Sequence, residues 1–227
     1  MGFSALLVDL GGVLFVPDTA WVRGELERVG LSVSEGAVRR AHHVAVRAFD
    51  EAAIGDNRLA YTQIYPTAFL SSLGLPPPVH GRARKVLFEG ADIPRVEPLR
   101  ESVSALRALV ERRFPVAVVA NTFSGHAAAR LESLGFVTGG ENAVLTVIDS
   151  ARAGVAKPHR RIFAMALREL GVSAREAVHV GDSVRLDGNG ARAAGIAFYH
   201  FDPHDVCDQR HEHVANLHAL AVGATHS

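Results

Sequence analysis

The second half of this chain alternates short β-branched runs with segments of helical spacing, and this alternation restricts the fold more than any other feature. Such an order is typical of a parallel sheet whose strands are joined by crossover helices. We predict strands at 116–120, 143–148, 177–180 and 196–200, and helices at 99–112, 125–134, 159–170 and 188–194. The pattern therefore predicts an α/β protein.

A further strand is predicted near the N-terminus, where the apolar run Ala5–Val8 ends in Asp9. Between it and the later strands lies a block of helical spacing broken by glycines and prolines, with predicted helices at 19–29, 34–54, 58–73 and 79–89. We expect a Rossmann-like parallel-sheet core made of residues 1–16 and 95–227, with residues 17–94 inserted as an all-helical cap domain. An insert at this point is expected beside the strand ends, where it can act as a lid.

The composition excludes several classes of partner. The 227-residue chain has a formal net charge of zero and a pI near 7.2, so no bulk basic field is available to hold nucleic acid or an anionic membrane. The N-terminal apolar run is too short to span a bilayer, and we interpret it as a strand rather than a signal peptide. Cys207 is the only cysteine, which is typical of the reducing cytoplasm. We expect a cytoplasmic protein.

Carboxylates follow two of the predicted strands at glycine turns. Asp9 ends the first strand and precedes Gly11, while Asp182 follows the strand 177–180. Ligands of open α/β sheets bind at the carboxyl ends of the strands, and two carboxylates there form a hard oxygen site suited to Mg²⁺. Asp187 would orient the metal's waters or a lysine. A lone strand-end aspartate is more often a turn or helix-cap residue, so it is the pair that favours a metal site.

Lysine is nearly absent from the chain, since only Lys85 and Lys157 are present among many arginines. A compact ammonium differs from a planar guanidinium, so Lys157 is a candidate clamp for both a carboxylate nucleophile and a phosphoryl group. Asn121 and Thr122 follow the strand 116–120, and their side chains or backbone N–H groups are candidate phosphate ligands. The alternatives are a plain turn after that strand and chance retention of the lysine.

Taken in order, these segments resemble the haloacid dehalogenase-like hydrolase superfamily, specifically its phosphatase-like members with a helical cap. The motifs are residues 9–14, 118–122, Lys157 with Pro158, and 181–187. The resemblance covers nearly the whole chain. It implies a phosphoaspartyl mechanism, in which Asp9 attacks phosphorus and water later cleaves the acyl phosphate.

The resemblance also implies a role for each motif residue. Asp9 and Lys157 would be catalytic, and Mg²⁺ would be held by Asp9, Asp182 and the backbone carbonyl of Gly11. The substrate implied is a small phosphorylated metabolite. The implied phosphate-binding residues are Gly12, Asn121, Thr122 and Lys157, and the implied supporting residues are Ser183 and Asp187.

Two positions depart from the family pattern. Gly11 stands where most phosphatases of the family carry a second aspartate that protonates the leaving group and activates water, and such help is worth roughly 10²–10⁴-fold. Ala120 stands where a Ser or Thr hydroxyl normally contacts phosphate. His42 and His43 in the insert are weak candidates for a substitute proton carrier, because a surface or core-edge position is the favoured interpretation of both.

Three other interpretations stay open. The departures at Gly11 and Ala120 suit a degenerate member that binds a phosphorylated ligand or a protein partner with little turnover. A dehalogenase would use an aspartate nucleophile on carbon without metal, and the retained Asp182 argues against it. A phosphonate hydrolase would need a Schiff-base lysine in the cap, where only Lys85 is available.

The C-terminal segment is rich in side chains that bind metals. From His200 it continues through Asp202 and Cys207 to His211 and His213, a set that suggests Zn²⁺. The spacing matches no closed zinc motif, so we predict a solvated surface loop here. The following segment, 214–222, has an amphipathic pattern and is expected to pack on the core.

Overall fold

Eight strands are present in the residues described by this computed structural model, which are 2–52, 60–89, 95–138 and 144–221. In chain order the strands are β1 (Ala5–Val8), β2 (Phe15–Pro17), β3 (Val96–Pro98), β4 (Val116–Ala120), β5 (Leu145–Asp149), β6 (Ala177–Gly181), β7 (Ala197–Phe201) and β8 (His213–Val214). Six of them form one sheet in the order β5-β4-β1-β6-β7-β8, with every pair parallel. The predicted α/β core with a parallel sheet is confirmed.

The helices alternate with the strands of the sheet after β3. In chain order they are α1 (Thr19–Arg28), α2 (Glu35–Glu51), α3 (Tyr65–Ser72), α4 (Pro77–Phe88), α5 (Arg100–Glu111), α6 (Ala127–Glu132), α7 (Ser150–Ala153), α8 (Arg160–Leu170), α9 (Asn189–Ala193) and α10 (His218–Ala221). A π-helical turn precedes α3 at Ala60–Ile64 and another precedes α9 at Val184–Gly188. Within the described ranges, no helix has the length and apolar character needed to cross a bilayer.

The chain divides into two compact units. The first contains Met1–Leu14, Leu99–Asp205 and Gln209–Ser227, and the second contains Phe15–Pro98 and Val206–Asp208. The sheet lies in the first unit, and helices α1 to α4 lie in the second. The second unit also contains an antiparallel ribbon of β2 and β3, in which Val16 pairs with Glu97. Local periodicity does not predict this ribbon, because its strands are very short and far apart in sequence.

The first unit buries its central strands along their whole length. Every residue of β1, β4 and β6 is buried, as is usual for parallel strands covered on both faces. Leu7 and Val119 on one face share a cluster with Ile162 and Phe163 of α8. A Cβ on Gly190 of α9 would lie 2.4 Å from the Phe163 ring, so only glycine permits this approach.

The second unit has an apolar core of its own. Val22 and Leu26 of α1 pack in one cluster with Phe69 of α3 and Leu87 of α4. The Asp18 side chain caps α1 by accepting a hydrogen bond from the Trp21 N–H at 2.8 Å. The unit thus has both a core and a defined helix start.

Most predicted elements are present with small changes of boundary. The strand 116–120 has the predicted bounds, and the strand 143–148 is β5, described from Leu145 onward. The predicted helix 188–194 begins as the π-helical turn and continues as α9. Residues 53–59 and 139–143, which include parts of three predicted elements, lie outside the described residues.

The prediction of a solvated loop in the C-terminal segment is confirmed for residues 203–212, which are irregular and, apart from Val206, partly or fully exposed. At both ends of this loop the chain joins the sheet instead. His200 and Asp202 are buried, at 5% and 6% exposure, and His213–Val214 forms the edge strand β8 beside β7. The pairing joins residues that no local pattern relates. Downstream, α10 packs against α5, although residues 222–227 of the expected amphipathic segment lie outside the described residues.

Candidate active site

Polar residues follow three neighbouring strands at one edge of the sheet. Asp9 follows β1, Asn121 follows β4 and Asp182 follows β6, and β1 lies between the other two strands. The Asp9 N–H donates to the Val180 carbonyl at 2.9 Å, which continues the strand pairing as far as the carboxylate. After Asp9 the backbone turns through Gly12, whose φ of 71° favours glycine.

The Lys157 ammonium lies between two carboxylates. Its Nζ is 2.5 Å from Asp9 Oδ1 and 2.7 Å from Asp187 Oδ1. Lys157 is 2% exposed and Asp187 is 0% exposed. Because buried charges are costly without partners, the three groups stabilise one another. We call Asp9, Lys157, Asp182 and Asp187 the carboxylate centre.

The Asn121 side chain holds the backbone of Lys157. Its Nδ2 donates to the Lys157 carbonyl at 3.1 Å, and its Oδ1 accepts from the Lys157 N–H at 2.9 Å. The peptide bond that follows, to Pro158, is cis. The observed side-chain contacts of Asn121 thus position the lysine, while its predicted phosphate contact stays a prediction.

Thr122 is tied to the neighbouring strand. Its hydroxyl donates to Asp149 Oδ1 at 2.5 Å, and its N–H donates to Ser150 Oγ at 3.0 Å. Asp149 also accepts from the N–H groups of Ala127 and Ala151, both at 3.0 Å. Both donors of Thr122 are therefore engaged, and the predicted phosphate contact would require one of them to be released.

Sequence reasoning did not single out Asp149, although the signal was available. The residue ends the apolar strand β5 in the same way that Asp9 follows β1. Its contacts fix the turn after β4 and so support Asn121 beside it.

Asp187 is held by a second buried group that the sequence analysis missed. His179 Nε2 lies 2.8 Å from Asp187 Oδ1, and the Ser183 N–H donates to Asp187 Oδ2 at 3.3 Å. A Cβ on Gly181 would lie 2.2 Å from Asp187 Cγ, so glycine is needed there. A histidine within an otherwise apolar strand was the available signal for His179.

The carboxylates differ strongly in protonation. Burial would raise the pKa of Asp187, but the charge of Lys157 and the hydrogen bond from His179 lower it to about 2. Burial and the negative charge of Asp187 raise the pKa of Asp9 to about 8, and the same two causes raise that of Asp182 to about 8. Although burial lowers the pKa of Lys157, Asp187 and Asp9 raise it above the usual value. The centre therefore holds more carboxylates than its one ammonium can compensate.

This donor set fits a hard divalent cation. Carboxylate oxygens of Asp9, Asp182 and Asp187 lie within 4.8 Å of one another. Both oxygens of Asp187 are engaged, Oδ1 by Lys157 and His179 and Oδ2 by the Ser183 N–H. Asp9 and Asp182 are therefore the better candidate ligands. A cation bound there would lower the pKa of both carboxyls, which burial and the charge of Asp187 raise.

Three other predicted residues line the same loops. Gly11 is exposed, and a Cβ built on it meets no atom within 4 Å. Ser183 Oγ accepts from the Leu186 N–H at 3.0 Å and so caps the π-helical turn. Ala120 is 1% exposed at the end of β4. The position of Gly11 can therefore accept a larger side chain.

Comparisons with known proteins identify the family of this chain. Residues 3–195 match the model of the haloacid dehalogenase-like hydrolase family. The chain is 33% identical over 217 residues to a phosphoserine phosphatase of Thermus thermophilus, covering 84% of this chain and 85% of that protein.

Solved structures share the fold at lower identity. A haloacid dehalogenase-like phosphatase from Thermococcus onnurineus superposes with a TM-score of 0.56 at 17% identity, covering 97% of this chain and 96% of that one. An L-2-haloacid dehalogenase from Xanthobacter autotrophicus gives a TM-score of 0.54 at 17% identity and covers 97% of both chains. The fold alone does not separate these two chemistries. The family match and the relative from T. thermophilus show that the chain is an enzyme of the haloacid dehalogenase-like hydrolase family.

Proposed function

We propose that this chain is a Mg²⁺-dependent phosphatase that hydrolyses a small phosphate monoester through an aspartyl-phosphate intermediate. The observation that carries the proposal is Lys157 clamped between Asp9 and Asp187 beside the Asp182 carboxylate. A dehalogenase acts on carbon without metal, so the Asp182 carboxylate beside this pair argues against that chemistry. The similarity to a phosphoserine phosphatase over most of both chains supports a phosphate monoester as substrate.

Asp9 is the proposed nucleophile. Its Oδ1 accepts hydrogen bonds from Lys157 and from the Leu10 N–H at 2.7 Å, which fixes the carboxyl plane. We assign the attack on phosphorus to Oδ2. The new bond from Oδ2 to phosphorus replaces the bond from phosphorus to the ester oxygen, and the departing alkoxide takes a proton from water. A second water then attacks phosphorus, gives its proton to solvent, and releases phosphate and the free Asp9 carboxylate.

Lys157 is the proposed cationic clamp. A phosphoryl group arriving at Asp9 brings negative charge to the buried ammonium, which already lies against the nucleophile. Preorganised positive charge of this kind lowers the barrier because no reorganisation is needed during the reaction. We propose that the backbone N–H groups of Gly12 and Asn121 supply further contacts to phosphate oxygens.

Asp9, Asp182 and the Gly11 carbonyl are the proposed ligands of Mg²⁺. When bound, the cation would neutralise phosphate oxygens and lower the pKa of both aspartates, which favours the ionised nucleophile. Asp187 would hold Lys157 and orient the site from behind, through its contacts with His179 and Ser183.

The test is hydrolysis of a panel of sugar phosphates, phosphoserine and an aryl phosphate, measured by phosphate release with Mg²⁺ or with a chelator. We expect turnover only with Mg²⁺, and none with Asp9→Asn. The matched control is Asp205→Asn at an exposed position with a φ of 49°, which asparagine tolerates. Turnover that persists in Asp9→Asn, or that is absent from every substrate in the wild type, would overturn the proposal.

A second candidate, binding of a phosphorylated ligand with little turnover, is favoured by two observations. Gly11 offers no side chain to protonate a leaving group, and the buried Ala120 offers no hydroxyl. Calorimetric binding of phosphoserine to the wild type, without phosphate release over hours, would favour this candidate over the phosphatase.

A further inference from the structure

Three histidines from the C-terminal segment meet beside the last strands of the sheet. His200 on β7 pairs in register with His213 on β8, and His211 lies just before β8. One ring nitrogen of each lies within 4.8 Å of the others. The ring centroids of His211 and His213 are 4.4 Å apart and nearly parallel. We call these residues the histidine cluster.

Backbone carbonyls fix which nitrogen of two of these rings carries the proton. His200 Nε2 lies 3.0 Å from the Asp182 carbonyl, and His213 Nε2 lies 3.1 Å from the Gln209 carbonyl. A carbonyl only accepts, so each Nε2 donates and each Nδ1 of a neutral ring keeps its lone pair. Metal-binding histidines are oriented in the same way, with the second nitrogen donating to a carbonyl or carboxylate.

The His211 ring lies where it can bind the same ion as His200. His200 Nδ1 and His211 Nε2 are 2.9 Å apart, so one of them must be unprotonated. Two nitrogens bound to one tetrahedral Zn²⁺, at bonds of about 2.0–2.1 Å, are separated by roughly 3.3 Å. A small movement of either ring would therefore admit an ion. The Nε2 proton of His211 would move to its Nδ1, which leaves a neutral ring.

The negative charge beside the rings and their access to solvent also favour binding of a cation. The buried Asp202 carboxylate lies 3.5 Å from His213 Nδ1 and supplies negative charge beside the rings. His213 keeps 28% of its side chain exposed, so an ion can arrive from solvent. Imidazole nitrogen suits Zn²⁺ and its neighbours in the transition series, whereas Mg²⁺ prefers oxygen.

We propose that His200 Nδ1, His211 Nε2 and His213 Nδ1 bind a divalent transition-metal ion of the Zn²⁺ type, at a site separate from the carboxylate centre. Nothing in this proposal depends on the phosphatase reaction.

The experiment uses the full chain without a histidine tag, stripped of metal and held in excess Mg²⁺ so that the carboxylate centre is filled. Zn²⁺ affinity is measured by competition with a chromophoric chelator, and Co²⁺ is added as a spectroscopic substitute. The variants are His211→Asn, His213→Asn and the double variant, with Asp9→Asn to report binding at the carboxylate centre. His200 is left unchanged because it is buried and its removal threatens folding. His218→Asn on α10 is the matched control from the same tail, and circular dichroism verifies folding of each variant.

We expect one Zn²⁺ per chain, with affinity lowered at least about 10²-fold in His211→Asn and in His213→Asn and unchanged in His218→Asn. Co²⁺ should give the intense visible bands of a four-coordinate nitrogen site. Zn²⁺ affinity that survives in the double variant, or that is lost only with Asp9→Asn, would overturn the proposal, as would weak octahedral Co²⁺ bands in the wild type. If a histidine variant fails to fold, the wild-type Co²⁺ spectrum decides by itself.

Discussion

The carboxylate centre and the histidine cluster lie on neighbouring strands of one sheet yet handle charge in opposite ways. The first buries charged groups and holds them with a second layer, in which Asn121 fixes Lys157 and His179 fixes Asp187. The second gathers three imidazole rings, of which His211 and His213 are partly or fully exposed, and backbone carbonyls orient the rings of His200 and His213. The comparison suggests that a reaction centre needs preorganised charge, whereas a binding site for a softer ion needs only lone pairs with fixed direction.

The largest expected effect comes from Asp9→Asn, which separates the two regions. Loss of the nucleophile should lower kcat by more than about 10⁴-fold. The Co²⁺ spectrum of the histidine cluster should remain, because no cluster ligand is altered. Steady-state kinetics and the Co²⁺ titration, run on the same preparation, test the loss of activity and the retained metal binding. Loss of both signals together would show that the regions form one site.

Lys157→Met is expected to have the second-largest effect. We expect activity to fall by about 10³-fold, as for removal of a preorganised charge. Without Mg²⁺ the free energy of unfolding should fall by about 3–5 kcal/mol, because Asp9 and Asp187 lose their buried partner. Urea unfolding measures this loss. Lys85→Met, at the chain's other lysine and exposed on α4, should change neither quantity. Equal effects from the two lysines would contradict the account.

Gly11→Asp, unlike the two preceding variants, is expected to increase activity. The open space around Gly11 accepts the side chain, and the new acid can protonate a leaving group. We expect turnover of alkyl phosphates to rise about 10²-fold, with little change for an aryl phosphate whose leaving group needs no proton. Rates that rise equally for both substrates would indicate a different cause.

The last prediction is a linkage between the pH dependence of stability and Mg²⁺ binding. With pKa values of about 8 in the folded state and about 4 unfolded, Asp9 and Asp182 bind more protons when folded. The free energy of unfolding of the metal-free protein should therefore fall as pH rises from about 4 to about 8, by at most about 1.4 kcal/mol per pH unit for each proton.

Mg²⁺ should remove most of this slope, because the cation favours the ionised carboxylates. Chemical denaturation across this pH range, with Mg²⁺ and with a chelator, provides the measurement. Asp9→Asn should flatten the metal-free slope as well. A slope that Mg²⁺ leaves unchanged would show that the ion does not occupy this centre.

Local sequence patterns predicted the sheet and the ends of its strands well. Apolar runs that end in a carboxylate located Asp9 and Asp182, because burial of a parallel strand and the polarity of its end are both local properties. Contacts between distant segments left no such signal. The bond from Asn121 to Lys157 and the ribbon of β2 and β3 depend on tertiary structure alone.

The C-terminal segment shows the same limit most clearly. Its polar composition predicts a loop, which residues 203–212 form, but no local pattern predicts the pairing of β8 with β7 that brings His213 beside His200. The ligand types were visible in the sequence, while their convergence was not, because it depends on strand pairing. The carboxylate centre is thus the more predictable of the two regions.

Trapping the phosphorylated enzyme tests the proposed aspartyl-phosphate mechanism. Wild-type protein turning over a substrate with Mg²⁺ is quenched in acid and digested, and its peptides are analysed by mass spectrometry with and without hydroxylamine. We predict one phosphoryl group on the peptide that contains Asp9, removed by hydroxylamine and absent from Asp9→Asn. A phosphoryl group on a histidine or on another carboxylate, or continued turnover with no adduct on Asp9, would contradict the account.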